Sequence, residues 1–164
     1  METFDAISKR ASVRKYQSKP VDKALLEKLV DAARRAPTAR AVEPWEFVVV
    51  TKREALEALG QIANTGAFIK DAACCIAVYC KDTKYYLEDG SAATENILLA
   101  AAACGLGTCW VAGDKKPYVG RVSELLGVPE DMKLVSLISV GWPEKEPEQV
   151  KNRKLKDVIH WEKF

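Results

Sequence analysis

The stretch RASVR sets Arg10, Ser12 and Arg14 on alternate positions, three side chains suited to holding an anion. In an extended chain, alternate residues point the same way. Two guanidiniums and a hydroxyl on one face make a receptor for phosphate, because guanidinium offers paired, charge-assisted hydrogen bonds. A solvated basic edge is the competing account of the same three residues. A second basic group, KNRK, supplies Lys151, Arg153 and Lys154 near the other end of the chain, where lysine-rich tails are commonly just solvated. Between the two groups runs RAPTARAVEPWEFVVVT, in which Pro37 and Pro44 stiffen the ends of a loop of small residues, Thr38, Ala39, Arg40 and Ala41. A stiff loop with an accessible backbone would let a flat ligand lie against main-chain atoms. An ordinary helix-to-strand connection would carry the same residues.

Other chemistries find less support. The glycines of CGLGTCWVAG follow a helix and precede a strand, the reverse of the dinucleotide-binding order. No P-loop, G-x-S-x-G elbow or HExxH motif occurs. His160 is the only histidine, so neither a zinc site nor a histidine-paired nucleophile is expected. Cys74, Cys75, Cys80, Cys104 and Cys109 form no C-x-x-C pair, and their odd number suggests reduced thiols packed as small apolar side chains. Alternation would point Cys74 and Cys75 to opposite faces of a strand.

The elements that must position these groups follow from periodicity. A first helix is expected over Thr3–Lys9, then an extended piece over residues 13–16. Asp22 caps an amphipathic helix that carries Leu25, Leu26, Leu29, Val30 and Ala33 on one stripe. EFVVVT and ACCIAVYC read as buried strands, with a helix from Arg53 between them that turns Leu56, Leu59 and Ile62 inward. SAATENILLAAAACG is the longest helix expected. It is apolar almost all round, so it must be covered at the centre of the domain or in a subunit interface, and Gly105 fits its C-terminal cap. GTCWVA is a short strand, residues 119–126 a helix, and KLVSLISVG a strand. The tail from about residue 143 starts polar, crosses a surface, and ends in LKDVIHWEKF, which could bury a helical face. The class expected is α+β, a three-layer sandwich with helices on both faces of one sheet.

With 164 residues, the chain fits a single domain, residues 1–164, and buries roughly two-thirds of its extended surface. Its 48% hydrophobic and 29% charged content is ordinary for a globular protein. A net charge of +2 without basic–aromatic clusters gives no reason to expect a nucleic-acid partner. METFDAISKRAS lacks the apolar core of a signal peptide and no apolar run is long enough to span a bilayer, so no membrane partner and a cytoplasmic location are expected.

RxSxR, APTARAVEPWEFVVV, ENILLAAAACGLGTCW, LISVGWP and the basic KNRK come in this order over nearly the whole chain. Together they resemble the nitroreductase family of flavin mononucleotide (FMN) enzymes. The resemblance implies a mainly antiparallel sheet flanked by helices, an obligate homodimer with two FMN sites at its interface, and a tail from about residue 143 that packs on the partner subunit. It also implies roles for single residues. Arg10, Ser12 and Arg14 would hold the phosphate together with Lys151 and Arg153. Pro37, Thr38 and Ala39 would line the flavin ring, with Ala41 near it from the partner subunit and Trp45 packing the base of the loop. Asn64 or Thr65 would lie by the pyrimidine edge, and the backbone of Trp110, Val111 and Gly113 would face the other side of the ring.

Two positions depart from the family loop: Ala41 and Glu43 stand where Asn and Gln are common. Ala41 removes a hydrogen bond from the flavin's surroundings. Glu43 brings a negative charge near a cofactor that becomes anionic on two-electron reduction, unless Arg40 pairs with it. The chain is also short for the family and lacks the additional helical segment over the substrate side. The implied activity is electron transfer from NADH or NADPH through FMN to a nitroaromatic, quinone or flavin-like small molecule, with no catalytic side chain required because the chemistry belongs to the flavin. A flavin-cleaving or dehalogenating enzyme, a non-turnover electron carrier or flavin store, and a purely structural dimer are the alternatives.

Overall fold

The computed structural model describes residues 2–164. Five α-helices and four strands alternate: α1 (Thr3–Lys9), α2 (Lys23–Ala33), β1 (Trp45–Val50), α3 (Arg53–Ile62), β2 (Cys74–Lys81), α4 (Tyr86–Ala103), β3 (Gly107–Ala112), α5 (Val119–Leu126) and β4 (Met132–Gly141). Short 3-10 turns occupy Ala39–Ala41, Asn64–Asp71 and Leu155–Asp157. The expected capping holds. The Asp22 carboxylate accepts from the Ala24 amide at 3.2 Å, satisfying one free donor at the start of α2. At the end of α4, Gly105 takes a left-handed φ of 75°, and the amides of Gly105 and Leu106 return to the carbonyls of Ala102 and Ala101. That pair of bonds closes the helix as a Schellman motif.

The four strands form one antiparallel sheet in the order β1-β2-β4-β3. β2 lies inside it and divides the core by alternation. Cys74, Ile76, Val78 and Cys80 pack with α2 and α4 on one face. Cys75, Ala77 and Tyr79 pack with α3, α5 and the turn Asn64–Asp71 on the other. Cys74 and Cys75 therefore take opposite faces, as expected. Pairing jumps from Val78↔Ser136 to Tyr79↔Leu134, so Val135 is an extra residue in β4. The bulge lets Val135 approach Gly90 while Ser136 hydrogen-bonds Thr94, both on α4.

Ser12 bridges Thr108 at the outer edge of β3, with the Val13 amide donating to the Thr108 carbonyl at 2.8 Å, and Tyr16 bridges Pro143 just past β4. No helix among the described residues is long and apolar enough to cross a membrane.

Three expectations change. The long helix begins at Tyr86 rather than Ser91, because Tyr86, Leu87 and the hydrogen-bonded Asp89 extend its inward face. The closing segment forms no helical face. It makes one 3-10 turn and leaves Leu155, Trp161 and Phe164 exposed, since nothing in the chain's own fold covers it. Cys104 is exposed, because it lies past the last turn of α4, whereas the other four thiols are buried.

Candidate active site

The basic residues at the two ends of the chain meet. Arg10, Ser12, Trp110 and Lys151 line one cavity of about 430 Å³, together with Glu95 and Leu98 of α4. Arg10 is the residue after α1, so the helix end fixes where its side chain starts. Its Nε lies 3.9 Å from Glu95 Oε1. Gln149 draws the C-terminal segment in, donating to the carbonyls of Arg10 at 2.6 Å and Ile7 at 3.1 Å. Those two bonds explain how Lys151 reaches a cavity built by the N-terminus. Trp110 is on the face of β3 that alternation shares with Thr108, and its indole stays partly exposed at the cavity wall.

Arg14 and Arg153 stand apart from that cavity. The Arg14 guanidinium lies 5.7 Å from the Phe68 ring centroid, a cation–π contact. Arg153 donates to the Asp157 carbonyl within its own tail. Beneath the extended segment, the Tyr16 hydroxyl bonds the Val13 carbonyl at 2.6 Å and the Ser139 hydroxyl at 2.7 Å. Burial pushes the Tyr16 hydroxyl well above its ordinary range, so it stays a neutral hydrogen-bonding strut. Burial likewise pushes the Cys74 and Cys80 thiols up to about 12. Burial also raises Cys109, although Arg14, Ser12 and Arg10 act in the opposite direction.

The loop between the prolines is held from within. The buried Asp89 carboxylate accepts from the Ala39 amide at 2.9 Å and from the Thr38 hydroxyl at 3.0 Å. The Thr38 oxygen in turn accepts from the Glu43 amide at 3.1 Å. Arg40, Ala41 and Glu43 all adopt left-handed backbone, with φ of 59°, 54° and 48°. Such conformations strain residues that carry a Cβ. Trp45 is buried directly after this loop, against the α2–α4 layer. No ion pair joins Arg40 to Glu43 among the described residues. Pro37, Thr38, Ala39 and Ala41 line none of the cavity around Arg10.

Asn64 opens the 3-10 segment that follows α3, and its side chain and that of Thr65 are exposed. Two residues on, Gly66 lies so close to β3 that a Cβ there would sit 3.0 Å from Val111. Gly113 is equally crowded, since a Cβ would fall 2.6 Å from Leu134 Cγ, and its amide donates to the Val135 carbonyl at 3.0 Å. Sequence reasoning missed Asp89, Glu95, Tyr86 and Gln149. Only Asp89 carried a usable signal, as a carboxylate followed by glycine at the head of an apolar helix.

The arrangement offers cations and hydroxyls around one cavity, a partly exposed indole at its wall, and a strained, tethered loop elsewhere. A family model described as "Putative TM nitroreductase" matches residues 2–164. A protein of Methanothermobacter thermautotrophicus, described as "Putative NADH dehydrogenase/NAD(P)H nitroreductase", is 36% identical over 170 residues, which cover 100% of this chain and 88% of that protein. A crystal structure of the same description from Parabacteroides distasonis superposes with a TM-score of 0.93 at 32% identity, covering 99% of this chain and 98% of the other. An FMN-dependent nitroreductase from Clostridium difficile superposes with a TM-score of 0.90 at 30% identity, covering 98% and 99% respectively. With the whole described chain matched by the family model and by relatives above 30% identity, this protein belongs to the nitroreductase family.

Proposed function

We propose that the chain is an FMN-dependent oxidoreductase that takes electrons from NADH or NADPH and passes them to a nitroaromatic, quinone or flavin-like acceptor. The observation that carries this reading is the convergence of Arg10, Ser12, Lys151 and Trp110 on one cavity. The donor set fits FMN. A phosphate monoester carries nearly two negative charges at neutral pH, and arginine stays protonated when partly buried. Glu95 shares Arg10 in the same cavity, so Lys151 and Ser12 supply the donors that Glu95 does not engage. FMN, when bound, supplies the electron-transfer chemistry, and the protein supplies position and electrostatics.

On this reading Arg10, Ser12 and Lys151 hold the phosphate, joined by Arg14 and Arg153 once these leave Phe68 and the tail. Asn64 faces the pyrimidine edge. The main chain of Trp110, Val111 and Gly113 forms one side of the ring site, and the loop carrying Pro37, Thr38, Ala39 and Ala41 forms the other. Because that loop lines none of its own chain's cavity, we assign the complete site to a homodimer interface, where the loop of the partner subunit completes it. The exposed tail, with Leu155, Trp161 and Phe164, packs on the partner in the same assembly. No side chain is assigned as acid or base.

Purified protein is expected to show flavin absorption that bleaches on anaerobic addition of NADH or NADPH and returns when a quinone or nitroaromatic is added. Sustained NAD(P)H oxidation in the steady state separates an enzyme from an electron carrier. A colourless protein that refuses added FMN would overturn the reading.

A further inference from the structure

The first turn of α4 holds two separate loops. Tyr86 donates from its hydroxyl to Asp114 Oδ1 at 2.5 Å. One turn further, Asp89 accepts from Thr38 and Ala39. Residues three apart on a helix are surface neighbours, so both attachments leave from one side of α4. Asp114 follows Gly113 in a turn where the Lys116 amide donates to the Gly113 carbonyl at 3.1 Å and Lys115 has a left-handed φ of 58°. Each attached loop therefore contains strained, non-glycine backbone, and such strain persists only where the surroundings enforce it.

The helix end is itself fixed. A Cβ on Gly90 would lie 2.6 Å from Val135 Cγ2, so α4 sits directly on the bulge of β4. Val135 is also the residue whose carbonyl receives the Gly113 amide. Bulges recur beside functional sites, where they re-aim side chains. Helix, bulge and turn thus make one block, to which Tyr86 and Asp89 attach the two loops.

We propose that Tyr86 and Asp89 are a shared positioning clamp, which keeps the loops around Thr38 and Asp114 in the strained shapes that receive the flavin ring. The role in flavin binding rests on the functional reading above, but the clamping itself does not. A loop held in its bound shape loses less freedom on binding, so release of the clamp at Tyr86 or Asp89 weakens FMN although neither side chain is assigned a contact with it.

The test uses the full-length protein and the variants Tyr86→Phe, Asp89→Asn and Thr38→Val, with Thr38→Ser as the conservative control. Hydrogen–deuterium exchange of the FMN-free protein reads the clamp, and flavin-fluorescence titration reads its consequence. Asp89→Asn and Thr38→Val are expected to speed exchange in residues 38–43, and Tyr86→Phe in residues 113–116, with unfolding midpoints measured alongside. Each is expected to weaken FMN about tenfold, the scale of one lost charge-assisted hydrogen bond. Because Asp89→Asn and Thr38→Val share the Thr38–Asp89 link, their double variant should weaken FMN by less than the product of the two single effects, and Thr38→Ser should keep wild-type exchange in residues 38–43. Thr38 lies outside the core, so its variants remain informative if Asp89→Asn fails to fold. Unchanged loop exchange overturns the clamp, whatever happens to FMN. Wild type that binds no FMN, with faster loop exchange in the variants, retains the clamp and removes its functional role.

Discussion

Arg10 combines a fixed starting point at the end of α1, an opposing carboxylate and a side chain only 22% exposed. Arg10→Ala removes the cation and leaves Glu95 facing any bound phosphate. FMN affinity is expected to fall by about 2–5 kcal/mol, the usual loss when one partner of a buried charged pair is removed. Riboflavin, which lacks the phosphate, should bind wild type and variant with similar weak affinity in the same fluorescence titration. Equal weakening of both ligands would show that Arg10 does not hold the phosphate.

Tyr86 gives a pH signature. Its hydrogen bond to the Asp114 carboxylate, aided by partial burial, raises the hydroxyl from 10.0 to about 12. The raised group is neutral when protonated, so its stabilisation is complete below pH 10 and disappears as pH climbs through 12. Denaturant unfolding should find wild type more stable than Tyr86→Phe by a constant margin from pH 6 to 9. The margin should shrink only at higher pH, and a margin that varied below pH 9 would assign the stability to another group.

At the scale of elements, β1 ties the strained loop to the sheet. Trp45 pairs with Cys80 in the register and fills the space between the sheet and the α2–α4 layer. Trp45→Ala is expected to destabilise the fold by about 3–5 kcal/mol, the usual cost of deleting a large buried aromatic. Flavin would be lost with it, and unchanged thermal stability would remove Trp45 as the anchor.

The strands and amphipathic helices were legible because each obeys a single local period. The stripe on α2 and the alternation across Cys74 and Cys75 survive intact in the fold. The start of α4 was not legible, since Tyr86 and Asp89 extend the helix through bonds to residues distant in sequence. The candidate site divides in the same way. RxSxR and KNRK marked groups suited to an anion, and Arg10, Ser12 and Lys151 do share a cavity. The positions of Arg14 and Arg153 depend on Phe68 and Asp157, contacts that no local pattern encodes.

For the whole molecule, the unanswered faces point outward. Ile7 of α1 and the tail residues Leu155 and Trp161 are exposed, and the Arg10 cavity lacks the proline-bounded loop on its own chain. A two-fold dimer would satisfy both, because each copy receives what it presents. Sedimentation at micromolar concentration is expected to give a stable dimer, and a flavin-loaded monomer would exclude the shared site.

The way the N-terminal segment is seated also sets an order of events during folding. Tyr16 reaches Ser139 across 123 residues, and Gln17 reaches Pro143 across 126. Closing such long loops is entropically costly, so contacts this distant form late. RASVR is synthesised well before β4, yet its strut cannot close until β4 has emerged and paired. The nascent chain thus carries this segment unseated until β4 is made, and on the proposed reading FMN capture would mark that β4 is in place.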